Sequence, residues 1–291
     1  MNAASMNNSG FEFSATYRNR DRDFKYELSA NLSTLRNRVT SLGFGTDSYI
    51  SGAYITNVGQ EIGQFYGWAY EGIARTQEDL DNHATQEGAQ IGDCLYKDIS
   101  GPDGKPDGKV DANDQVVLGS GMPKIHFGLN ARFEYKRFDL SIATFGALNY
   151  HVSDDIYNSL NSCYGWGNKE VGMLDANRFS EDGSTYLSNV PRTYVTNSAS
   201  LGWNDLFSSR KIQNAAYWKI ANVELGYNFP NEWFGKYVSD VRFYVSAQNL
   251  HTFTGYHGYN VDYAGGTFTP GYNFCSYPTA RTFMCGVHFT F

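Results

Sequence analysis

The closing stretch RTFMCGVHFTF, residues 281–291, alternates without a break. Phe283, Cys285, Val287, Phe289 and Phe291 fall on one side; Thr282, Met284, Gly286, His288 and Thr290 fall on the other. A period of two marks a strand with one apolar face. The same alternation recurs upstream. Ile125, Phe127, Leu129, Ala131, Phe133 and Tyr135 alternate with His126, Gly128, Asn130, Arg132 and Glu134. Val241, Phe243, Val245 and Ala247 alternate with Arg242, Tyr244, Ser246 and Gln248. Val223, Leu225, Tyr227 and Phe229 do so with Asn222, Glu224, Gly226 and Asn228. Phe24 to Ser33 and Phe11 to Arg18 repeat the pattern, and FDLSIATFG from Phe138 carries it more weakly. Seven to nine half-buried strands are predicted, and no long helix.

The connections between these strands are lopsided. Lys136–Arg137, the stretch 19–23 and the stretch 230–239 are short, whereas 75–123, 150–213 and 250–279 are long and rich in Gly, Asn, Asp, Ser and Tyr. Loops of that length are uncommon inside compact domains. Short turns on one side and long loops on the other describe a barrel that crosses an outer membrane. Aromatic residues agree with this. Phe133, Tyr135 and Phe138 flank one short turn, and Tyr227, Phe229, Trp233, Phe234 and Tyr237 flank another. With Phe289 and Phe291 they fall at one height, as an interfacial girdle would. The predicted fold is all-β, an antiparallel transmembrane β-barrel. A soluble β-sandwich or lipocalin-like barrel shares the period, with its apolar face turned inward.

An open sheet edge in lipid leaves backbone groups without partners, so the last strand must pair with another. Phe283, Phe289 and Phe291 are therefore expected to act as an assembly signal on that strand, with Phe291 at the lipid interface.

Composition sharpens this picture. Aromatic residues make up 16% of the 291, with 22 Tyr and 20 Phe, an excess that suits pleated strands. The net charge of −7 disfavours nucleic acid as a partner. No run of 18 apolar residues is present, which excludes a membrane-spanning helix but not a barrel. The opening MNAASMNNSGFEF has neither a basic nor an apolar leader region, so it does not read as a signal peptide. Cys94, Cys163, Cys275 and Cys285 show no C-x-x-C spacing.

Candidate chemistry is sparse. In DGKPDGKVDAND, residues 103–114, Asp103, Asp107, Asp111 and Asp114 take ligand positions of a calcium loop, with Gly108 at the sharp turn and a carbonyl from Lys109. Lys105 occupies a position where an oxygen is expected. A structural Ca²⁺ that stiffens a long loop is one reading, and a polar turn without an ion is the other. Tyr164, Trp166 and Trp203 offer faces for stacking a sugar ring, and are equally suited to packing the loops. No nucleophile elbow, zinc-protease helix or phosphate loop is present, so no enzyme is predicted and no organic cofactor is called for.

Taken in order, FYGWAYEGIA, GDCLYKDISG, PDGKVDANDQVVLG, PKIHFGLNARFEYKRFDLSI, YWKIANVELGYNFP, VRFYVSAQNLHTFTGYHGYN and YPTARTFMCGVHFTF resemble the C-terminal part of the SusC/RagA family of TonB-linked outer-membrane proteins of Bacteroidetes. The resemblance implies a 22-strand barrel, of which this chain would be about the last third, without signal peptide, plug or TonB box. It implies import of oligosaccharides, sometimes peptides, through the outer membrane of a Gram-negative cell. It implies a SusD-like surface lipoprotein as lid, and energy from the TonB complex through the missing N-terminal part. Membrane lipid would surround the wall. On this basis the chain is expected to be a fragment of a nutrient importer. The alternative from a different class is a soluble, calcium-stabilised β-rich module that binds glycan.

Overall fold

The computed structural model describes residues 4–43, 45–163, 167–193, 202–234, 238–262 and 265–291. Seven long strands form one sheet: β1 (Glu12–Asn19), β2 (Phe24–Thr34), β3 (Ile125–Tyr135), β4 (Phe138–Leu148), β5 (Tyr217–Asn228), β6 (Asp240–Thr254) and β7 (Thr282–Thr290). They lie side by side in chain order, and every neighbouring pair is antiparallel. Among the described residues no helix is long and apolar enough to cross a membrane.

Pairing lines the alternating residues up across the whole sheet. One row runs Tyr17, Leu28, Ala131, Ile142, Val223, Ala247, Phe283. The next, on the opposite face, runs Arg18, Glu27, Arg132, Ser141, Glu224, Ser246, Met284. A period of two in each strand thus becomes one apolar and one polar surface for the sheet. Among the described residues nothing packs over the apolar surface: Phe13, Leu28, Leu129, Leu225, Phe243 and Val287 are all exposed. In water so large a patch would aggregate, whereas lipid covers it without cost.

The sheet is also staggered. The apolar row starts at Tyr17, two residues before β1 ends at Asn19, and finishes at Phe283, seven before β7 ends at Thr290. That slip of five residues over six strand spacings corresponds to strands tilted by roughly 30°, a stagger of the kind a barrel wall has.

The two rims differ. On one, β1–β2, β3–β4 and β5–β6 are joined by short turns. The tightest is Lys136–Arg137, where Lys136 takes a φ of 54°, as the first residue of a two-residue hairpin turn can require. Aromatic rings gather here. Phe138 lies 4.8 Å from Tyr227, Tyr227 5.0 Å from Phe229, and Phe24 6.4 Å from Tyr135, centroid to centroid. Phe291 ends on the same rim, 88% exposed. Of the girdle residues, Tyr237 lies outside the described residues.

On the other rim the chain leaves the sheet for long excursions: 35–124, 149–216 and 255–281. Their described residues carry structure of their own. A four-stranded sheet is built from Ser48–Ser51, Tyr54–Asn57, Gln64–Trp68 and Gln115–Ser120. Short helices span Gln77–Asn82 and Asp155–Leu160, the first held by a reciprocal cap between Thr76 and Asp79. The buried apolar residues of the protein sit mostly in this cap. One cluster holds Tyr150, Val152, Ala215, Tyr217, Tyr256 and Val261; another holds Cys94, Tyr96 and Val110 with Trp68, Tyr70, Trp203 and Leu206 against it.

Candidate functional site

Two surfaces carry polar chemistry: the inner face of the sheet and the loop cap above it. On the inner face, the rows nearest the short turns are charged. Arg242 on β6 donates from Nε to Asp139 Oδ1 at 3.0 Å, from Nη2 to Asp139 Oδ2 at 2.5 Å, and from Nη2 to Glu224 Oε1 at 2.8 Å. One guanidinium thus bridges β4, β5 and β6 through its planar fork. Gly226 makes the space, because a Cβ there would meet Arg242 Nη2 at 2.4 Å. Gly286 on β7 likewise lies under the Tyr244 ring, 2.6 Å from where a Cβ would stand. Arg18 pairs with Glu27 at 2.7 Å, and Arg132 with Glu134 at 3.1 Å.

One row nearer the long loops, the inner face turns neutral. It reads Thr16, Ser29, Asn130, Ala143, Asn222, Gln248, Thr282. This neutral row separates the paired charges nearer the turns from the next row toward the loops, where Lys219 on β5 pairs with Asp262 at 2.9 Å.

The cap is tied together by contacts between residues far apart in sequence. Arg192 clamps the buried carboxylate of Asp93 with both arms, at 2.5 and 3.0 Å. Asn204 accepts from the Cys94 amide at 2.7 Å and donates to Asp93 at 2.8 Å. The Tyr256 hydroxyl donates to Asp154, and Asn273 bonds both. Burial pushes the thiols of Cys94 and Cys163 up, to about 12 and about 11 respectively, so both are poor nucleophiles at neutral pH. Hydroxyls of Ser180 and Ser184 and the Ser184 amide hold Asp182 down at about 2. Burial pulls Lys211 below its ordinary range, opposed by Asp205.

The acidic loop uses its carboxylates on its own backbone. Asp114, fully buried, accepts from the amides of Ile99 at 2.7 Å, Ser100 at 2.9 Å and Asp111 at 2.7 Å. Asp111 caps the short helix Ala112–Asp114 by accepting from Asn113. Asp107 accepts from the Lys109 amide at 3.0 Å, and Asp98 from Gly108 at 2.7 Å. Among the described residues, no three His, Cys, Asp or Glu side chains converge as a metal would require. Asp103 and Lys109 make no side-chain contribution to this arrangement beyond standing exposed in it.

Of the aromatic candidates, Tyr164 and Trp166 lie outside the described residues. Trp203 is placed as a packing residue: its indole N–H donates to Glu87 O at 2.9 Å and its ring lies 6.2 Å from that of Tyr96. Phe283, Phe289 and Phe291 project from β7 on the exposed apolar face. Sequence reading missed an open cleft of about 680 Å³ in the cap, lined by Gln77, Asp81, His83, Gln90, Leu95 and Phe179 among others. No local pattern could have announced it, since Phe179 meets the 77–95 stretch only through folding.

No family model matches the chain. Among curated proteins, it is 29% identical over 309 residues to TonB-dependent receptor P3 of Formosa agariphila, covering 100% of this chain and 29% of that protein. It is 25% identical over 297 residues to TonB-dependent receptor SusC of Bacteroides thetaiotaomicron, covering all of this chain and 27% of the other. Among solved structures, that of the RagAB peptide transporter superposes with a TM-score of 0.76 at 21% identity, over 98% of this chain and 29% of the other. The chain thus spans 27% to 31% of the length of the curated relatives it matches. Over its whole length the chain is similar in sequence to curated proteins named TonB-dependent receptors, SusC among them, and its seven-stranded sheet shares the fold of part of the RagAB peptide transporter structure.

Proposed function

We propose that this chain forms part of the wall and outer mouth of a TonB-dependent importer, which takes up nutrients across the outer membrane of a Gram-negative cell. One observation carries the reading: a mainly apolar, exposed face extends across seven strands, as in the row from Tyr17 to Phe283, with a mainly polar face behind it and a folded cap on one rim only. A soluble glycan-binding module would have to cover that apolar face, and among the described residues nothing does. The homologues are named as receptors, which supports a role in transport and not in catalysis.

Oligosaccharide is the favoured cargo. The neutral row of the inner wall suits an uncharged, hydroxyl-rich solute, which exchanges hydrogen bonds with Ser, Thr, Asn and Gln without stripping a charge of water. The cap cleft adds two glutamines and the Phe179 ring, with Asp81 and His83 beside them. A peptide is the second reading, since the RagAB structure is that of a peptide transporter. A SusD-like lipoprotein is the proposed lid. The cap rim exposes Val171, Leu174 and Tyr277 at 79%, 84% and 87%, an apolar fringe suited to a protein partner. TonB would act through parts of the protein outside this chain.

The test is uptake of labelled oligosaccharides and peptides by cells carrying the complete receptor, with and without a proton uncoupler. Uncoupler-sensitive accumulation of a glycan supports the proposal. Accumulation of peptide alone moves the cargo to the second reading, and no energised uptake of either class refutes the transport role.

A further inference from the structure

Toward the loop rim, the inner face of β1 to β4 holds an open hollow of about 640 Å³. Two neighbouring rows of the sheet build it. One runs Ser14, Asn31, Gly128, Phe145, and the next runs Glu12, Ser33, His126, Ala147. Gly128 opens the hollow. Phe145 and Asn31 stand two strand spacings apart, about 10 Å, and only this glycine lies between them. The Asn31 amide leans into the gap, since a Cβ on Gly128 would meet Asn31 Oδ1 at 2.3 Å.

The groups around the gap are of two kinds. Phe145 presents an aromatic ring, 38% exposed, on a face that is otherwise mainly polar. Tyr217, from the buried cluster under the cap, meets that ring at 84° and 6.0 Å and fixes it from the cap side. Ser14, Asn31, His126 and Glu12 make no side-chain hydrogen bond or ion pair among the described residues. Nearer the turns, by contrast, charges are taken up by one another, as Arg242 is by Asp139 and Glu224. An aromatic face beside free hydroxyl, amide and carboxylate groups complements a pyranose ring, which carries an apolar C–H face and a rim of hydroxyls.

Charge narrows the class of sugar. Lys219 Nζ lies 5.8 Å from the centroid of the Phe145 ring, but its side chain is 7% exposed and pairs with Asp262 at 2.9 Å. That cation is already neutralised inside the protein. Among the described residues, the carboxylate that lines the hollow is Glu12. It accepts from sugar hydroxyls and repels the carboxylate of a uronic acid or a sulfate ester.

We propose that Phe145, Asn31 and Glu12, set around Gly128, form a wall subsite that holds one uncharged sugar ring and discriminates neutral from acidic oligosaccharides. The proposal rests on the reading of the cargo as oligosaccharide; it adds where a ring is held and which glycans are turned away.

The test measures binding of the complete receptor, purified in detergent at pH 8, to an immobilised panel of neutral, uronic-acid and sulfated oligosaccharides. The unaltered receptor is expected to take neutral members and reject acidic ones. Phe145→Ala should weaken neutral binding about tenfold and Asn31→Ala about threefold, whereas Phe145→Trp, which keeps a stacking face, should stay within about threefold of the parent. Glu12→Gln should raise binding of acidic members about threefold. Heat-sensitive gel mobility reports whether each variant is folded; if Phe145→Ala is not, Asn31→Ala and Glu12→Gln, at exposed positions, carry the test. Neutral binding unchanged in Phe145→Ala and Asn31→Ala overturns the subsite and leaves the oligosaccharide reading standing. A preference of the unaltered receptor for acidic members overturns the discrimination. A receptor that binds no oligosaccharide of the panel refutes the cargo reading itself, and the subsite falls with it.

Discussion

Replacing Arg242 by Met should loosen the middle of the wall far more than removing the carboxylates along with it. Arg242 makes three bonds to Asp139 and Glu224, and their side chains keep 24%, 12% and 27% of their exposure. A hydrogen bond to a charged group contributes about 1.5–3 kcal/mol net, and breaking a fully buried ion pair costs about 3–5 kcal/mol. The inner face is wet, so screening reduces both figures, and about 2–3 kcal/mol is the expected loss. Most of it comes from two carboxylates left facing each other without a cation. Opening of β4, β5 and β6, read by amide hydrogen exchange in the assembled barrel, should therefore accelerate roughly 30- to 150-fold. The triple variant Arg242→Met, Asp139→Asn, Glu224→Gln strands no charge and should return to within about 1 kcal/mol of the parent. A single variant that changes exchange by less than threefold would refute this reasoning, as would a triple variant as loose as the single one.

Other expectations can be checked independently. Removing Phe291 should reduce membrane-assembled protein severalfold in a protease-protection assay, and normal insertion would count against the assembly role of the β7 rings. Asp114→Ala strips three amides of their acceptor at a fully buried site and should cost the acidic loop about 2–4 kcal/mol of local stability. Because those amides are already satisfied by carboxylate, calcium or a chelator should leave their exchange unchanged; strong added protection with calcium would instead support an ion in the loop. His151 is held below its ordinary 6.5 mainly by burial, against a bond involving the Ser120 backbone. The unfolded chain therefore takes up the proton more readily, so this contribution is complete above about pH 6.5 and fades as pH falls below it. Protection of the 150–153 amides, corrected for intrinsic rate, should drop between pH 7.5 and 5.5, and constant protection would exclude His151 as the cause.

The strands were legible because a half-buried strand writes its environment into every second residue. The exceptions have a local cause. At Ala221 the pairing with β4 slips by one residue, and at Asn249, with a φ of 51°, the pairing with β5 slips again. These bulges break the alternation, so the Tyr217–Ile220 half of β5 does not continue the pattern of Val223–Phe229. The acidic loop was ambiguous for a different reason. Carboxylates at short spacing serve a cation or a string of backbone amides equally well, and Asp111 with Asp114 forms a capping box that uses the same residue types as a calcium loop. The cap as a site was not legible at all. Asp93 with Arg192, or Cys94 with Asn204, are joined across 99 and 110 residues, and no periodicity encodes such pairs.

The contrast between the two rims also sets an order of events. β1–β2, β3–β4 and β5–β6 need only short turns to meet, so these hairpins can zip within microseconds of collapse. Joining them sideways is slower. Closing the stretch between Thr34 and Ile125 alone costs roughly 4 kcal/mol of chain entropy before β2 and β3 gain a single bond. The knots of the cap reach further still and gain nothing until both ends are held. The mouth is therefore the last part of the molecule to acquire its shape, on a wall that has paired without it, and its loops are free to diverge in sequence without slowing the nucleation of the strands beneath them.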